Sequence, residues 1–384
     1  MMPKAYLDQD VREISECLGL ECDRLSGRTL VFSGAGGFLG THFMALFDHL
    51  NRHVLQRRLR VIALDNFISS ACRPEDLTGL KDVEFRQHNV IDRLTIDEPV
   101  DFVLHAAGIA SPVWYRTNPL ETLDVSTIGT RNMLEVAKSC SAKFLYFSTS
   151  EIYGDPDPRH VPTSENYYGH VSCRGARACY DEGKRLGETL CDIYHNYFGV
   201  PTVIVRPFNV YGPGMRERDY RVLPNFATQI KAGQPLFVYG TGQQTRTFCY
   251  VVDAVIGFML ALLRGIPGEA YNVGNPKPEV TMQDLAQRIC ELVGDPASYR
   301  VVDYPDGYPS NEPQRRCPDI RKAELQKTPA MLVVGEKEAA AGTVSVRMRH
   351  GGDAGTLSVE EFLALARGAI AERRKELTVE VKNR

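Results

Sequence analysis

Apolar runs alternate with amphipathic segments along the first half of the chain. The segment RTLVFSGAGGFLGTHFMALFDHL at 28–50 predicts a strand, a glycine-rich turn and a helix, and LRVIALDN at 59–66 predicts a second strand that ends in an acid. Four further apolar runs and two amphipathic helices follow, the runs at 83–86, 101–107, 143–148 and 202–206 and the helices at 119–140 and 175–198. Apolar strands separated by helices are typical of a parallel sheet that is covered on both faces. The pattern therefore predicts an α/β fold, a Rossmann-type doubly wound parallel sheet.

The pattern changes beyond residue 206, where proline and glycine become frequent and the predicted elements shorten. The run EAYNVGN at 269–275 predicts one more strand that returns to the sheet. We therefore expect a smaller C-terminal lobe. The predicted organisation is a helical lead-in, a Rossmann domain, the smaller lobe and an atypical α/β tail, at 1–26, 27–206, 207–323 and 324–384.

The composition restricts the class of partner. The chain has 384 residues, 43% of them hydrophobic, and a net charge of −3, so it can bury a core but has no basic excess for nucleic acid or anionic membrane. The first twenty residues lack the apolar centre of a signal peptide and no apolar run has membrane-spanning length, so we expect a cytoplasmic protein without a membrane partner. Its ten cysteines form no CxxC pair, which predicts free thiols and no metal site.

The glycine-rich turn SGAGGFLG has a spacing suited to a dinucleotide. Gly34, Gly37 and Gly40 allow a tight turn and the close approach of a diphosphate to the N-terminus of the next helix. Asp65 ends the following strand, at about the spacing at which dinucleotide-binding folds place an acid against the ribose. A carboxylate there accepts hydrogen bonds from an unphosphorylated ribose and repels a 2′-phosphate. The sequence therefore favours NAD over NADP.

Two groups of polar residues are candidates for chemistry. The run STSE at 148–151 follows an apolar strand, at the edge where parallel sheets bind their ligands. Tyr180 and Lys184 are four residues apart and so lie on one face of a predicted helix. A nearby ammonium and the positive ring of oxidised NAD favour a phenolate, so we expect Tyr180 to take a proton from a substrate hydroxyl.

With these motifs, the chain resembles the extended short-chain dehydrogenases/reductases, the NAD-dependent nucleotide-sugar epimerases, dehydratases and decarboxylases. The resemblance spans about 27–323 and includes GAGGFLG, HAAGIASP, STSEIYGDP, YDEGK and RPFNVYGP. Within the family, ASPVWYRTNP (110–119), TSEIYGDP (149–156), RACYDEGKR (177–185) and QRRCPDI (314–320) are most similar to the UDP-glucuronate decarboxylases. The resemblance implies an enzyme that oxidises UDP-glucuronate at carbon 4, releases CO2 and re-reduces the sugar to UDP-xylose or leaves the 4-keto pentose.

The resemblance also implies roles for individual residues. The catalytic group it implies is Tyr180, Lys184, Glu151, Thr149, Ser150 and Arg316, with Arg315 as an alternative to Arg316. The NAD-binding residues it implies are Gly34, Gly36, Gly37, Phe38, Leu39, Gly40, Asp65, Asn66, Asn89, Val90, Ala106 and Ala107, together with Tyr180 and Lys184. The substrate-binding residues it implies are Ser111, Pro112, Tyr115, Asn209, Arg221, Tyr239, Arg246 and Arg316. Tyr239 and Tyr115 could instead be core residues.

Two related reactions remain open on the sequence. A 4,6-dehydratase has an aspartate where this chain has Ser150, and a hydroxyl is too weak an acid to protonate a departing hydroxyl group. A simple 4-epimerase usually has a small or hydroxyl residue in place of Glu151. The chain also departs from typical decarboxylases at Ser172-Cys173, where they have Asn-Pro, and at Asn89, where they have Asp. Decarboxylation is the preferred interpretation, with 4-epimerisation or 4,6-dehydration of a UDP-sugar as alternatives.

The family resemblance further implies a homodimer through helices near 119–140 and 180–198, with Leu190, Ile193 and Tyr194 facing outward. From about Leu325 the chain leaves the family pattern and resembles the end of the anticodon-binding domain of threonyl-tRNA synthetase. There MLVVGEKE and GTVSVRMR predict strands and SVEEFLALARGAIAERR predicts a helix. This tail raises a second class of function, an RNA- or synthetase-associated binding protein. Because the tail has few aromatic residues to stack on bases, we expect no nucleic-acid partner.

Overall fold

The structure of the chain is a computed structural model that describes residues 4–70, 72–217, 221–294, 298–304, 315–316, 330–333, 343–348 and 352–358. The chain divides into two compact units, Met1–Ile320 and Arg321–Arg384. No helix among the described residues is long and apolar enough to cross a bilayer.

A seven-stranded sheet, parallel throughout, forms the centre of the first unit. Its strands are β1 (Thr29–Ser33), β2 (Arg60–Asp65), β3 (Val83–Gln87), β4 (Phe102–His105), β5 (Lys143–Phe147), β6 (Thr202–Pro207) and β11 (Ala270–Val273). The order across the sheet is β3-β2-β1-β4-β5-β6-β11, the doubly wound arrangement predicted from the sequence. The strand predicted at 269–275 is confirmed, since β11 pairs with β6. Because all seven strands point the same way, their carboxyl ends meet at one edge.

Nine α-helices lie among the described residues. They are α1 (Lys4–Leu18), α2 (Phe38–His53), α3 (Pro112–Thr117), α4 (Pro119–Asp124), α5 (Thr130–Cys140), α6 (Ala178–Phe198), α7 (Val222–Lys231), α8 (Val251–Arg264) and α9 (Met282–Val293). The helix predicted at 119–140 is interrupted by a π-helical turn, Val125–Gly129. The hydroxyl of Ser126, in this turn, and that of Thr130, directly after it, each donate to the carbonyl four residues earlier, a contact that bends helices.

Neighbouring residues of β5 show how helices cover the two faces of the sheet. Successive side chains of a strand point to opposite faces. Phe147 packs against Phe43 of α2 and Phe258 of α8, with ring centroids 5.8 and 5.0 Å away. Tyr146 points the other way, toward α6, where a Cβ at Gly187 would lie 2.0 Å from the tyrosine hydroxyl. The glycine therefore lets α6 lie directly on β5, which fixes the helix that carries Tyr180.

Helix α6 differs from the prediction in which residues it exposes. Of the three positions expected to face outward, Ile193 is exposed at 37%. Leu190 is only half-buried against the core, and Tyr194 is buried, with 4% exposure. The expectation for Tyr194 was wrong because its ring joins the core under α5 and its hydroxyl contacts Glu135.

The smaller lobe of the first unit contains short strands and two helices, α7 and α9. Its strands are β7 (Val210–Tyr211), β8 (Leu236–Tyr239), β9 (Thr245–Arg246), β10 (Cys249–Tyr250), β12 (Val280–Thr281), β13 (Tyr299–Val302) and β14 (Arg315–Arg316). They pair as β10-β7, β13-β8 and β12-β9-β14. The lobe has a small core of its own, made of Phe226, Leu236, Val238, Met282, Ala286 and Cys290.

The second unit contains a three-stranded antiparallel sheet in the order β15-β16-β17. Strands β15 (Ala330–Val333) and β16 (Thr343–Met348) confirm the two strands predicted in the tail. Strand β17 (Gly352–Ser358) was not predicted, because its sequence GDAGTLS is rich in residues that are rare in strands. The predicted helix falls almost entirely outside the described residues.

Candidate active site

A cavity of about 450 Å³ opens at the carboxyl ends of the central strands and continues against the smaller lobe. The turn after β1, the ends of β2 and β4, and the polar run after β5 form the wall on the side of the sheet. Residues of the loop after β6, of α7 and of β8 form the opposite wall. The site thus lies where doubly wound sheets bind their ligands.

The glycine turn takes the shape that the sequence predicted. Gly34 has a φ of +88°, and a Cβ there would lie 2.8 Å from the backbone nitrogen of Ala107. A Cβ at Gly40 would lie 2.1 Å from the carbonyl oxygen of Gly34. Gly37 directly precedes α2, so the N-terminus of that helix faces the cavity. A side chain at Gly34 or Gly40 would displace backbone, so this turn admits only glycine at both positions.

Asp65 lies in the cavity wall at the end of β2, and its carboxylate is fixed by three hydrogen bonds. The backbone N–H of Gly36 donates to one oxygen at 2.8 Å. The N–H of Phe67 and the hydroxyl of Ser70 donate to the other at 2.7 and 2.6 Å. A carboxylate has about four acceptor positions, so it can still accept from a ribose hydroxyl. Its negative charge opposes a 2′-phosphate, as predicted.

The residues present fit NAD. Most of the predicted cofactor residues line the cavity, namely Gly34, Gly37, Phe38, Leu39, Gly40, Asp65, Asn66, Asn89, Val90, Ala106, Ala107 and Tyr180. Two predicted residues, Gly36 and Lys184, are not in its wall. Gly36 lies behind it and holds Asp65, and a Cβ there would meet the Phe67 ring at 2.9 Å. Gly36 therefore contributes to the cofactor site indirectly, by holding the carboxylate of Asp65.

Tyr180 lies in the first turn of α6 with its ring stacked on Tyr115 of α3, the ring centroids 5.7 Å apart. Burial raises the pKa of Tyr180 above its ordinary value. A hydrogen bond with Thr149 and the positive charges of Arg177 and Arg221 act in the opposite direction. The prediction named Lys184 as the nearby cation that favours the phenolate. In the structure the Thr149 hydroxyl and the two arginines act on the pKa of Tyr180 in the same direction as that expected cation.

Lys184 is buried one turn further along α6. Its ammonium donates to the carbonyl oxygen of Phe147 at 2.7 Å and lies 5.1 Å from the centroid of the Tyr146 ring. Burial lowers the pKa of Lys184 to about 8. A Cβ at Gly108 would come within 3.1 Å of the ammonium nitrogen, so the lysine lies directly behind the cavity wall. Lys184 thus joins the helix of Tyr180 to the end of β5.

The polar run after β5 faces the cavity with Thr149, Ser150 and Glu151. Ser150–Tyr153 form a 3₁₀ turn, and the Thr149 hydroxyl caps it by accepting from the N–H of Glu151 at 3.2 Å. The cap leaves the Glu151 carboxylate directed toward α6, where the guanidinium of Arg177 contacts it. The run therefore ends its strand with an acid and two hydroxyls beside Tyr180.

The predicted substrate residues line the far part of the cavity. They are Ser111, Pro112, Tyr115, Asn209, Arg221, Tyr239 and Arg246. The amide of Asn209 donates to the carbonyl of Thr247 at 2.9 Å, which fixes its orientation. Arg246 is buried and donates to the carbonyl of Thr245 at 2.8 Å. Tyr239 stacks on Tyr304, with ring centroids 6.1 Å apart, while still lining the cavity.

Arg316 is described only in its backbone. Strand β14 runs parallel to β9 and pairs Arg316 with Arg246 and Arg315 with Thr245. This register brings the backbone of Arg316 next to a residue of the cavity wall. The side chains of Arg315 and Arg316 lie outside the described residues.

Two arginines of the cavity wall were absent from the sequence prediction. Arg177 contacts Glu151, and Arg216 lies over the ring of Trp114, 4.9 Å from its centroid, and donates to the carbonyl of Ser70. With Arg221 and Arg246 they give the cavity four guanidinium groups from the described part of the chain. Guanidinium groups suit a diphosphate and a carboxylate. A signal for Arg177 existed, since RACYDEGKR places it three residues before Tyr180, on the same helical face.

Comparisons with known proteins identify the family of the chain. The NAD dependent epimerase/dehydratase family matches residues 30–274, and an anticodon binding domain matches residues 314–368, which supports the resemblance predicted for the tail. The chain is 41% identical over 299 residues to UDP-glucuronic acid decarboxylase 1 of Xenopus tropicalis, covering 78% of this chain and 67% of that protein. It is 41% identical over 301 residues to UDP-glucuronic acid decarboxylase 5 of Arabidopsis thaliana, covering 78% of this chain and 83% of that protein.

The fold is also found in a solved structure. DesIV, a dTDP-glucose 4,6-dehydratase from Streptomyces venezuelae solved with NAD and TYD bound, is similar with a TM-score of 0.65 and 24% identity, over 82% of this chain and 94% of that one. At that identity the likeness concerns the fold alone. The family match covers more than half of the chain, including the glycine turn, Asp65, the polar run and Tyr180. On these grounds the chain belongs to the NAD-dependent epimerase/dehydratase family.

Proposed function

We propose that this chain is an NAD-dependent UDP-glucuronate decarboxylase. It oxidises the sugar at carbon 4, releases the carboxyl group as CO2 and reduces the ketone, which gives UDP-xylose, or the 4-keto pentose where the last reduction is omitted. The observation that carries the proposal is Glu151, held by Arg177 in the same cavity as Tyr180, with Ser150 in place of a second acid. Relatives that are 41% identical over most of this chain are UDP-glucuronic acid decarboxylases.

Tyr180 begins the reaction by accepting the proton of the hydroxyl on carbon 4. Tyr115 holds its ring, and Thr149 and the arginine charges lower the pKa of its phenol against the effect of burial. When bound, NAD would supply the hydride acceptor for carbon 4 and later the hydride donor for the ketone. Lys184 keeps the base in position by tying α6 to the end of β5. In the final step Tyr180 returns its proton to the oxygen on carbon 4.

Loss of CO2 follows from the ketone. With carbon 4 oxidised, the sugar is a β-keto acid. The bond between carbon 5 and the carboxyl carbon breaks, its electron pair passes into the ketone as an enolate, and CO2 leaves. A proton taken ultimately from water then adds to carbon 5 and restores the ketone. In this proposal Glu151 and Arg316 flank the carboxylate and carbon 5, while Thr149 and Ser150 bind sugar hydroxyls.

The same residues disfavour the related reactions. A 4,6-dehydratase needs an acid to protonate the departing hydroxyl, and the Ser150 hydroxyl is far too weak for that role. A 4-epimerase needs room for the keto-sugar to turn over, and the Glu151–Arg177 ion pair occupies the wall next to Tyr180. In the smaller lobe, Arg221 and Arg246 are suited to the diphosphate of a UDP-sugar, since a planar guanidinium can engage two phosphate oxygens.

We also propose that the protein acts as a cytoplasmic homodimer. The helical layer formed by α4, α5 and α6 exposes several large apolar side chains, namely Leu120, Ile128, Leu186, Ile193, Tyr197 and Phe198. Leu186, Ile193 and Tyr197 follow helical spacing and so form one stripe along α6. A second copy of the layer would cover them. The nine cysteines among the described residues are free thiols, as expected for a reducing compartment.

Product masses test the proposed reaction. Incubation of the purified protein and NAD with UDP-glucuronate should give a UDP-sugar that is lighter by one CO2, or by one CO2 and two hydrogens for the 4-keto product. Incubation with UDP-glucose should give no change of mass, whereas a dehydratase would remove water. Conversion of UDP-glucuronate to an isomer of unchanged mass would identify a 4-epimerase and refute the proposal.

A further inference from the structure

Three ionisable side chains form a connected group at the start of α6. The guanidinium of Arg177 contacts the carboxylate of Glu151 with one terminal nitrogen. Its Nε lies 3.4 Å from the carboxylate of Asp181. The three side chains are only 17%, 19% and 12% exposed, so water screens their charges weakly. Of the three residues, only Glu151 was expected from the sequence to have a role.

The group connects two parts of the site that the chain supplies separately. Glu151 belongs to the turn after β5, whereas Arg177 directly precedes α6 and Asp181 lies in its first turn. Tyr180 stands between Arg177 and Asp181 in the same turn. The start of α6 thus carries Tyr180 and, through Arg177, also contacts Glu151.

Asp181 contacts Arg177 but is not itself part of the cavity wall. Burial raises the pKa of Asp181, and the charge of Arg177 opposes this shift. Its Oδ1 has no hydrogen-bond partner within the described part of the chain, so the contact with Arg177 is made through Oδ2. Asp181 is therefore directed at the arginine, which bridges two acids.

We propose that Arg177 is a positioning residue that holds Glu151 in place for the loss of CO2, and that Asp181 in turn holds Arg177. The inference rests on the proposed decarboxylase function, which places Glu151 at carbon 5. A guanidinium bound to two acids at different nitrogens is fixed in rotation as well as in distance. Without it the Glu151 carboxylate loses its contact with α6 and is free to turn away from the sugar.

Two steps of the reaction should respond differently to the removal of Arg177. Oxidation at carbon 4 depends on Tyr180, and loss of CO2 depends on the position of Glu151. Removal of Arg177 should therefore slow CO2 release on the order of 10²-fold, the effect of displacing a reacting group by about 1 Å. Oxidation should fall less, by no more than about tenfold, because the Arg177 charge is one of several influences that lower the pKa of Tyr180.

The experiment uses the full chain loaded with NAD in single turnovers of UDP-glucuronate labelled in the carboxyl carbon. The absorbance of reduced NAD reports oxidation, and trapped label reports CO2. The variants are Arg177→Met, Arg177→Lys, Asp181→Asn, Glu151→Gln and the double variant of Arg177→Met with Glu151→Gln. Arg174→Met is the matched control, an exposed arginine three residues earlier in the same loop. Circular dichroism and NAD content check that each variant folds.

We expect Arg177→Met to lose CO2 release selectively, Arg177→Lys to recover part of it, and Asp181→Asn to show a smaller selective loss. The double variant should be no slower than the slower single variant, because the two residues act as one unit. Arg174→Met should match the wild type.

Equal loss of both steps in Arg177→Met, or additive effects in the double variant, would overturn the inference alone. If Arg177→Met does not fold, Arg177→Lys and Asp181→Asn test the inference instead. In each of them CO2 release should fall by a larger factor than oxidation, and an equal loss of both would overturn the inference. A wild-type protein that oxidises the sugar without releasing CO2 would overturn the proposed function, and the inference with it.

Discussion

Tyr180 and Lys184 are both buried, and burial moves their pKa values in opposite directions. It raises that of the phenol and lowers that of the ammonium to about 8, because it disfavours the charged form of each. Other groups must therefore oppose the effect of burial on the phenol. The structure provides them in Thr149, Arg177 and Arg221. The reactivity of the base is thus set by neighbours from three separate segments.

The first prediction concerns Tyr180 itself. Tyr180→Phe keeps the ring that stacks on Tyr115 and removes only the hydroxyl. Turnover of UDP-glucuronate should fall by about 10²- to 10⁴-fold, the usual contribution of a general base. NAD content after purification should stay close to that of the wild type. Tyr197→Phe is the control, since Tyr197 is 79% exposed on the same helix and should keep full turnover. Undiminished turnover in Tyr180→Phe would show that another group takes the proton.

At the scale of elements, the site depends on how closely α6 lies on β5. Gly187 allows Tyr146 to reach the helix backbone, and Lys184 bonds to the carbonyl that ends the strand. Behind the neighbouring strand, His105 of β4 bonds to Ser33 at 2.7 Å and to Thr130 at 3.1 Å. These contacts fix the strand ends from which the catalytic side chains project.

The second prediction tests the contact between α6 and β5. In Gly187→Ala the new methyl group would lie 2.0 Å from the Tyr146 hydroxyl, so the helix or the ring must move. The free energy of unfolding should fall by about 1–3 kcal/mol, as for other overpacked cores. Thr189→Ala, at an exposed position of the same helix, should change it by less than about 0.5 kcal/mol. Urea titrations of both variants measure the difference, and equal stabilities would contradict the close packing.

The third prediction concerns the pH dependence of stability. Burial, assisted by the charge of Lys184, lowers the pKa of His105 from 6.5 to about 3. Below pH 6.5 the unfolded chain binds a proton at this histidine and the folded chain does not, so stability falls as the pH decreases. The slope from this residue approaches about 1.4 kcal/mol per pH unit. Between pH 6.5 and 5, His105→Gln should flatten the profile of unfolding free energy by this slope. Parallel profiles for wild type and His105→Gln would contradict the assignment.

Features of the fold and of the site could be predicted where the interacting residues lie close together in the sequence, and could not where they lie far apart. The strands, the glycine turn and the Tyr180–Lys184 spacing are local patterns, and the sheet order and family agree with them. Arg177 meets Glu151 across 26 residues and Arg216 meets Ser70 across 146, so only the folded chain shows these contacts. Tyr194 was misjudged because helical spacing alone does not show which face α5 covers.

At the scale of the whole molecule, the layer of α4, α5 and α6 exposes large apolar side chains on its outer side. Leu120 is 70% exposed and Ile128 and Leu186 are each 47% exposed. Apolar groups clustered on a helical layer indicate an association surface. The layer also contains Tyr180 and Lys184, so association through it would support the helix that carries the base.

The fourth prediction tests this surface. Ile128→Glu combined with Leu186→Glu places two charges on the layer and should convert a dimer to a monomer at micromolar concentration. Leu292→Glu is the control, because Leu292 is 86% exposed on α9, outside the layer. Sedimentation or light scattering gives the mass of each variant. A wild-type protein that is already monomeric would contradict the proposed dimer.

The measurement that tests the central claim most directly is the fate of the carboxyl carbon of UDP-glucuronate. The full chain with NAD is given UDP-glucuronate labelled at that carbon, and the label is measured both as CO2 and in the sugar nucleotide. The label should leave as CO2 in proportion to product formed, and Tyr180→Phe should slow its release by about 10²- to 10⁴-fold. Label retained in a UDP-sugar that the enzyme has nevertheless converted would contradict decarboxylation.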